Sequence, residues 1–360
     1  MALLLMVQQH LTPGQSLTAL TVDHALRKGS AAEARQVKEW CGALGIKHLT
    51  LKWKHEAITS GLQAKARAAR YDLMTGWCRK NGATALLTAH TKEDQAETVA
   101  MRGFRTQSAK SLAGIWPETE MHGVKIWRPL LSFTRNTLRK FLMAQDQQWL
   151  EDPSNSDPRF ERVRLRQSGI SNKLADIASR SQRKVRTAKT KAETWVSKHT
   201  RQDLSGMVEF APMSFAVLSE EAKDEALVQL IQSVGGVAPE RAKRQAMLKW
   251  IALPSSPRRS LGGAIFGARK GKFVIGREPS RIVAGTPNLS PTRAILWDNR
   301  FWVTGPKGST VTSKAKVKSL KRIKQLPAFI DLGLPVILAD DQVLATPFFS
   351  HHPKAKVILK

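Results

Sequence analysis

The stretch ATALLTAHTKEDQAETVAMRGF, residues 83–104, contains the pattern that decides the fold of the N-terminal part of the chain. Residues 83–89 form a short apolar run typical of a buried strand, and Thr91 follows as a candidate N-cap of a helix. Residues 17–23 and 46–53 have the composition of two earlier strands. Strands joined by helices of this length predict right-handed crossovers and a parallel sheet that is covered on both faces.

Capping signals also predict helices between these strands. Ser30 is followed by Glu33, and Ser60 is followed by Gln63, and each pair matches a capping box before a helical apolar period. We therefore predict an α/β domain over residues 1–158, built on a doubly wound, Rossmann-like parallel sheet.

The rest of the chain divides into a helical connector and a smaller α+β C-terminal region. Residues 151–160 are rich in turn-forming residues and indicate a boundary. Residues 159–282 then predict a middle domain that begins with a long basic helix, or two, before Arg201. After a linker near 283–292, residues 293–360 predict a small β-rich domain with a tRNA-binding role.

The charge balance of the 360-residue chain indicates a polyanionic partner. Lys and Arg number 58 against 29 Asp and Glu, which gives a formal net charge of +29. Nucleic acid is a better match than a membrane, because no basic amphipathic stretch stands out. Cys41 and Cys78 are the two cysteines, which excludes a disulfide scaffold and a Cys-rich metal site and favours a cytoplasmic location. The apolar residues 1–7 are too short for a signal peptide or a membrane span and predict a buried helix.

Polar side chains follow the predicted strands, where ligands bind in open parallel sheets. Asp23 and His24 end the first strand, and His90 ends the third. Asp94 and Glu97 then lie one turn apart on one face of the next helix, where two carboxylates could bind a cationic group or Mg²⁺. The alternative is a capped, solvated first turn, and the spacing alone does not decide between the two.

A second group of candidates lies near the start of the helix predicted after residue 60. Lys65, Arg67 and Arg70 are cations close to a positive helix end, which suggests that a phosphate offsets the unfavourable charge. An ordinary solvated basic face is the alternative.

Six strings occur along the chain in a fixed order and at compatible spacing: VDHALRKGSAAEA (22–34), GLQAKARAARY (61–71), TAHTKEDQAET (88–98), SLAGI (111–115), RPLL (128–131) and EDPSN (151–155). Together they resemble the tRNA(Ile)-lysidine synthase family, in the N-type ATP-pyrophosphatase group. The resemblance covers about residues 17–166. It implies an N-terminal domain similar to the adenine nucleotide alpha hydrolases.

The resemblance also implies an activity. The family is a group of ligases that use ATP, with Mg²⁺, to adenylate the C2 oxygen of the wobble cytidine in an isoleucine tRNA with a CAU anticodon. The ε-amine of L-lysine then attacks C2 and AMP leaves. The implied partners are therefore this tRNA, ATP and L-lysine, with no membrane, and a homodimer is left open.

The family motifs and the charge pattern together assign four groups of site residues. The predicted catalytic residues are Asp94, Glu97 and Arg70. The predicted lysine-binding residues are Asp94, Glu97 and His90. The predicted ATP-binding residues are Asp23, His24, Arg67 and Arg70. The predicted tRNA-binding residues are Arg162, Arg164, Arg166, Lys318, Lys321 and Arg322, and no metal-binding residue is predicted.

One departure from the family affects the start of the chain. The family's Ser-Gly-Gly-x-Asp-Ser loop, which binds ATP, precedes a helix that resembles MALLLM, and here Met1 opens that helix. We therefore expect the native product to start upstream, with a strand of about six residues and the loop. Two alternatives stay open: a tRNA-binding protein that has lost its ATP loop, and a related ATP-dependent tRNA-thiolating enzyme. The second usually needs a Cys-x-x-Cys pair, which Cys41 and Cys78 do not form.

Overall fold

The chain forms two compact units, Met1–Lys184 and Val185–Lys360, which meet within one long helix. The predicted division into three parts stays a prediction. The computed structural model describes residues 1–24, 29–55, 60–106, 108–151, 163–165, 169, 172–253, 258–282, 288–317 and 319–360.

The N-terminal unit alternates strands and helices, as the sequence predicts. Its elements are α1 (Ala2–Gln9), β1 (Thr18–Asp23), α2 (Ser30–Ala43), β2 (Lys47–Lys52), α3 (Leu62–Lys80), β3 (Leu86–Leu87), α4 (Lys92–Gly103), α5 (Ala109–Leu112), β4 (Glu118–Met121), β5 (Val124–Trp127) and α6 (Arg135–Ala144). The predicted N-terminal helix is confirmed, because Ala2 and Leu5 of α1 pack into a core cluster with Leu138 and Leu142 of α6.

The predicted α/β class is confirmed, and its strands lie in two separate sheets. β1 pairs in parallel with β2, and β3 pairs in parallel with β5, which also pairs with β4 in an antiparallel hairpin. Tyr71, Met74 and Cys78 of α3 pack against apolar side chains of both sheets, so one helix covers both. The hairpin β4–β5 was not predicted, because its strands are short and carry several charged residues.

Both predicted capping boxes are wrong, and glycine takes the place of both serines. Gly29 caps α2 with φ 113°, and Ser30 instead donates its hydroxyl hydrogen to Asp23 Oδ1 at 2.8 Å. Gly61 caps α3 with φ 67°. Both φ values lie in the left-handed region that glycine adopts without a steric penalty. Thr91 is the N-cap of α4, as predicted, and it also forms a capping box with Asp94.

The SLAGI string, residues 111–115, is held against α4 by side-chain amides. Gln95 of α4 accepts a hydrogen bond from the backbone N–H of Ile115 at 2.6 Å and donates one to its carbonyl at 2.8 Å. Gln182 donates to the same carbonyl at 2.9 Å and to that of Ala113 at 2.7 Å. These bonds satisfy a turn whose polar backbone would otherwise be buried without partners.

The C-terminal unit begins within the predicted basic helix and continues as a mixed α+β structure. Its elements are α7 (Lys173–His199, shared with the first unit), β6 (Thr200–Gln202), β7 (Val208–Phe210), α8 (Pro212–Ala216), α9 (Glu220–Ser233), α10 (Arg241–Ala252), β8 (Arg258–Leu261), β9 (Ala264–Arg269), β10 (Lys272–Arg277), β11 (Ile295–Trp297), β12 (Phe301–Thr304), β13 (Thr310–Ser313), α11 (Ala328–Leu332), β14 (Pro335–Ala339), β15 (Gln342–Thr346), β16 (Phe349–Ser350) and β17 (Lys356–Leu359), with short 3-10 turns at Pro279–Arg281 and Lys314–Lys316.

Three sheets organise this unit. The first has the order β6-β7-β10-β9-β8 and packs on α9 and α10 around Phe210, Phe266 and Leu227. The others have the orders β11-β12-β17 and β13-β14-β15-β16 and share a core around Phe301 and Ile337. The predicted helical connector followed by an α+β C-terminal region is therefore confirmed.

Substitution of Gly114 tests the SLAGI turn. Gly114 has φ +61°, and a Cβ there would overlap Gln95 Oε1 and lie 3.0 Å from its Cδ. Gly123 has φ +75°, with no atom within 4 Å of its Cβ position, so it is a matched control. We expect Gly123→Ala to lower the free energy of unfolding by about 1 kcal/mol, from left-handed strain alone. Gly114→Ala should cost a further 1–3 kcal/mol, roughly, in urea denaturation. Equal losses would show that the contact with Gln95 contributes nothing.

Candidate active site

Two helix N-termini meet at the carboxyl end of the β3–β5 pair. α4 begins shortly after β3, and α6 begins shortly after β5. The backbone N–H of Lys92 donates to the carbonyl of Phe133 at 2.9 Å and joins the two helix starts. Both helices direct their positive dipole ends to this place, which therefore favours negative charge.

Three carboxylates and one guanidinium fill this place. Arg135 is the first residue of α6, and its guanidinium donates to Asp94 Oδ1 at 2.8 Å and to Glu97 Oε1 at 3.4 Å. Its backbone N–H donates to both carboxylate oxygens of Glu93, at 3.0 and 3.2 Å. Glu97 is 2% exposed, so its charge is almost fully removed from water. The structure thus brings together Asp94 and Glu97, as the spacing predicts.

Asp94 both helps to cap α4 and pairs with Arg135. Its Oδ2 accepts hydrogen bonds from the backbone N–H of Thr91 at 2.8 Å and from its hydroxyl at 2.9 Å, which completes the capping box. Burial raises the pKa of Asp94, but the Thr91 bonds and the charges of Arg135 and His90 more than offset it, so that the pKa lies below its ordinary value. The capped first turn is therefore real, but Asp94 is half-buried and paired with a cation rather than fully solvated.

His90 lies at the rim of this site. Its Nδ1 is 3.0 Å from the hydroxyl of Thr88. Its charge contributes to the lowered pKa of Asp94, which places the ring near that carboxylate. His90 is partly exposed and can therefore contact a ligand that enters from solvent.

The predicted ATP-binding residues Asp23 and His24 lie at the end of β1. The His24 ring meets Trp53 edge to face at 5.7 Å, and Trp53 lies against His55 at 4.2 Å. Burial, followed by the nearby charge of Arg70, lowers the pKa of His24, which keeps the ring neutral at neutral pH. Among the described residues, neither ring nitrogen of His24 has a hydrogen-bond partner, although both are buried.

The predicted phosphate-binding arginines lie on α3, further from its start than expected. Since α3 begins at Leu62, Arg67 and Arg70 belong to its second and third turns, beyond the reach of the helix dipole end. The argument from a helix N-terminus is therefore wrong for both. Arg67 lies over the ring of Tyr71 at 5.2 Å, and the charge of Arg70 acts on His24. Arg70 is thus the arginine that the structure places beside the end of β1.

The predicted tRNA-binding residues fall into two groups. Arg162, Arg166 and Lys318 lie outside the described residues. Arg164, Lys321 and Arg322 are exposed.

The basic stretch 314–324 does not lie entirely on the surface. Lys314 is buried, and its ammonium donates to Asp331 Oδ1 at 2.6 Å and to the carbonyl of Lys321 at 2.8 Å. This lysine therefore holds the loop in place and is unable to contact RNA.

The sequence analysis missed Arg135, the residue that connects the acids. A signal was present, because a cation at the first position of a helix opposes the dipole and needs a carboxylate partner. Among the described residues, no group of three His, Cys, Asp or Glu side chains could hold a metal ion. Over the same residues, no helix is long and apolar enough to cross a membrane.

Comparison with known proteins relates this geometry to a family. The PP-loop domain family matches residues 1–173. The tRNA(Ile)-lysidine synthase of Ruegeria pomeroyi is 34% identical over 81% of this chain and 70% of its own length. That of Wolbachia pipientis wMel is 30% identical over 93% of this chain and 82% of its own length. The chain belongs to the tRNA(Ile)-lysidine synthase family.

Membership confirms the resemblance inferred from the six strings and extends it beyond residue 166. It also confirms the enzyme class, a ligase, and the use of ATP by the PP-loop domain. A solved U34-tRNA thiolase, NcsA from Methanococcus maripaludis, matches 51% of this chain and 67% of its own, with a TM-score of 0.42 and 14% identity.

The acid cluster predicts a pH-dependent stability. Because the folded-state pKa of Asp94 is lowered, its stabilising contribution is complete above the unfolded value of about 4 and is lost as the pH falls through the folded value. We expect Asp94→Asn to lower the free energy of unfolding by about 1–2 kcal/mol at neutral pH. In urea denaturation the difference from the unsubstituted protein should shrink below about pH 4.

Glu39→Gln serves as the control for this series, because Glu39 is an exposed carboxylate on α2 of the same unit. It should change stability by less than about 0.5 kcal/mol at every pH. A loss in Asp94→Asn that does not vary with pH would contradict an electrostatic role for Asp94.

Proposed function

We propose that this chain joins L-lysine to C2 of the wobble cytidine of the isoleucine tRNA with a CAU anticodon. In the first step the C2 oxygen attacks the α-phosphate of ATP, an O–P bond forms and diphosphate leaves. In the second step the ε-amine of lysine forms the C2–N bond, the C2–O bond breaks and AMP leaves with the oxygen. The observation that carries the proposal is the pair of carboxylates formed by the half-buried Asp94 and the buried Glu97, in a chain with a net charge of +29.

The carboxylate pair suits recognition of the lysine ammonium. An ammonium has three donors and binds carboxylates as a compact point charge. The lowered pKa of Asp94 keeps this group ionised, which fits a residue that attracts a cation rather than one that removes a proton. Arg135 offsets one of the two charges of Asp94 and Glu97, so that a single added ammonium is enough to balance this pair. His90 stands at the entrance as a further polar contact.

The end of β1 suits the adenine nucleotide. Asp23 and the neutral His24 offer hydrogen-bonding groups beside Trp53, and Arg70 supplies a cation for phosphate oxygens. Arg67, one turn away on α3, is the second candidate for the phosphates. Mg²⁺ would arrive with the ATP phosphates, because this ion is usually held by substrate phosphates together with one or two carboxylates.

The distribution of exposed cations suits the tRNA backbone. Lys321 and Arg322 are exposed on a loop that the buried ion pair of Lys314 and Asp331 fixes. Phosphate contacts of this kind supply affinity without reading sequence.

We place the reaction in the cytoplasm. Cys41 and Cys78 are both free and buried, which fits a reducing compartment.

Substitution of the acids tests the lysine site. We expect Glu97→Gln and Asp94→Asn to raise the half-saturating lysine concentration by about 10-fold or more, because each removes a charged hydrogen-bond acceptor. Their tRNA affinity, measured by filter binding, should stay within about twofold of the unsubstituted protein. Glu93→Gln is the matched control, since a neutral amide still accepts the backbone N–H of Arg135. Parallel loss of lysine use and tRNA affinity would refute the assignment.

Substitution of the exposed loop cations tests the tRNA surface. The variant Lys321→Gln/Arg322→Gln/Lys324→Gln should bind tRNA more weakly, and the slope of log affinity against log salt should fall by about 0.7–0.9 for each lost phosphate contact. Lys314 is kept, because its removal would leave Asp331 buried and unpaired. Lys249→Gln, an exposed lysine on α10, is the control. An unchanged slope in the triple variant would mean that the loop faces away from RNA.

A further inference from the structure

The outer face of the sheet β11-β12-β17 carries an exposed aromatic side chain. Trp302 of β12 is 41% exposed, and Ile358, directly opposite on β17, is 58% exposed. Leu296 of β11 pairs with Trp302 on its other side. The three side chains form an apolar row across the sheet, which we call the Trp302 face.

The opposite side of the same sheet is firmly anchored. Phe301 and Val303, the neighbours of Trp302, are completely buried in a core cluster with Trp297, and Val357 and Leu359 pack against it. Since side chains alternate along a strand, burial of these residues fixes Trp302 and Ile358 on the solvent side. The exposed indole is thus presented on a rigid support rather than on a loop.

Cations flank the apolar row. Lys356 and Lys360 lie two residues before and after Ile358 and therefore share its face. The backbone N–H of Lys360 donates to the carbonyl of Arg300 at 2.8 Å, which continues the pairing of β17 with β12 to the last residue given. Lys356 is opposite Thr304 in the register. No carboxylate stands on these strand positions.

A second exposed tryptophan has carboxylates beside it rather than lysines alone. Trp127 of β5 is 40% exposed, also on the outer face of a three-stranded sheet. Its cross-strand partner is Glu118, and the next pair on that face joins Lys125 to Glu120. Two carboxylates would repel a phosphate backbone, so exposure of tryptophan alone does not make an RNA surface.

We propose that the Trp302 face binds an unpaired nucleotide of RNA. The base stacks on the indole of Trp302, and the adjacent phosphates contact Lys356 and Lys360. Bases stack on aromatic side chains with little sequence preference, while lysines follow the backbone by charge. The inference deepens the proposed function and depends on it only for an RNA substrate. It adds a stacking site in the C-terminal unit to the phosphate contacts of the basic loop.

The test uses the full chain and two fluorescein-labelled RNA probes, a single-stranded oligouridylate of about 12 nucleotides and a blunt duplex of equal length. We expect Trp302→Ala to weaken single-strand binding by about 5- to 100-fold and to leave duplex binding within about twofold. Trp302→Phe should retain most of the affinity. Trp127→Ala, matched in exposure and sheet position, should leave both affinities unchanged.

The lysines have a separate readout. In Lys356→Gln/Lys360→Gln the salt slope for the single strand should fall by about 0.7 for each lost contact, whereas Trp302→Ala should leave the slope intact. Circular dichroism checks that each variant is folded.

Three results would overturn the inference: full single-strand affinity in Trp302→Ala, equal losses in Trp302→Ala and Trp127→Ala, or a changed sedimentation coefficient in Trp302→Ala without a changed RNA affinity. The last would assign the face to contact between two copies of the chain. Lack of lysidine formation with these binding differences intact would count against the proposed function and support the face.

Discussion

The guanidinium of Arg135 determines what the rest of the candidate site can do. It contacts Asp94 and Glu97, while its own backbone N–H binds Glu93. Removal of the guanidinium would leave Glu97 buried without its cation, and the loss of one partner of a buried pair typically costs about 3–5 kcal/mol. The same contact joins the first turns of α4 and α6, so the arrangement of the candidate site and the local stability of the unit depend on one interaction. Arg135 holds the side chains of Asp94 and Glu97 in place, and the site already contains one positive charge.

Local sequence patterns predicted only the part of this site that lies on one helix, α4. Asp94 and Glu97 are three residues apart, so helical geometry alone places them on one face. Arg135 is 38 residues beyond Glu97 and reaches it only because β3 and β5 are parallel neighbours whose following helices start side by side. The intervening hairpin β4–β5 has short, charged strands that carry no clear period, and without it the pairing of the two helix starts is invisible in the sequence.

Helix caps and buried cations also differ in whether neighbouring residues or residues far apart in the chain determine them. The sequence rules selected Ser30 and Ser60 as caps, yet Gly29 and Gly61 are the N-caps and both have left-handed backbone angles. Thr91 was correct because its partner Asp94 is within the same turn. Lys314 belongs to a basic run by sequence, but its partner Asp331 lies on α11, and only the tertiary structure shows that this charge points inward.

The two kinds of charge in this chain act over different distances. The excess of surface cations attracts a polyanion from afar, but free lysine at neutral pH carries a net positive charge and is repelled by the same field. At physiological ionic strength that field decays over about 8 Å, whereas Asp94 and Glu97 act at contact distance in a buried environment where screening is weak. A bound tRNA also neutralises part of the surrounding positive charge. A basic protein can therefore hold a cationic amino acid when its carboxylates are shielded from solvent and partly balanced by a cation, as Asp94 and Glu97 are by Arg135.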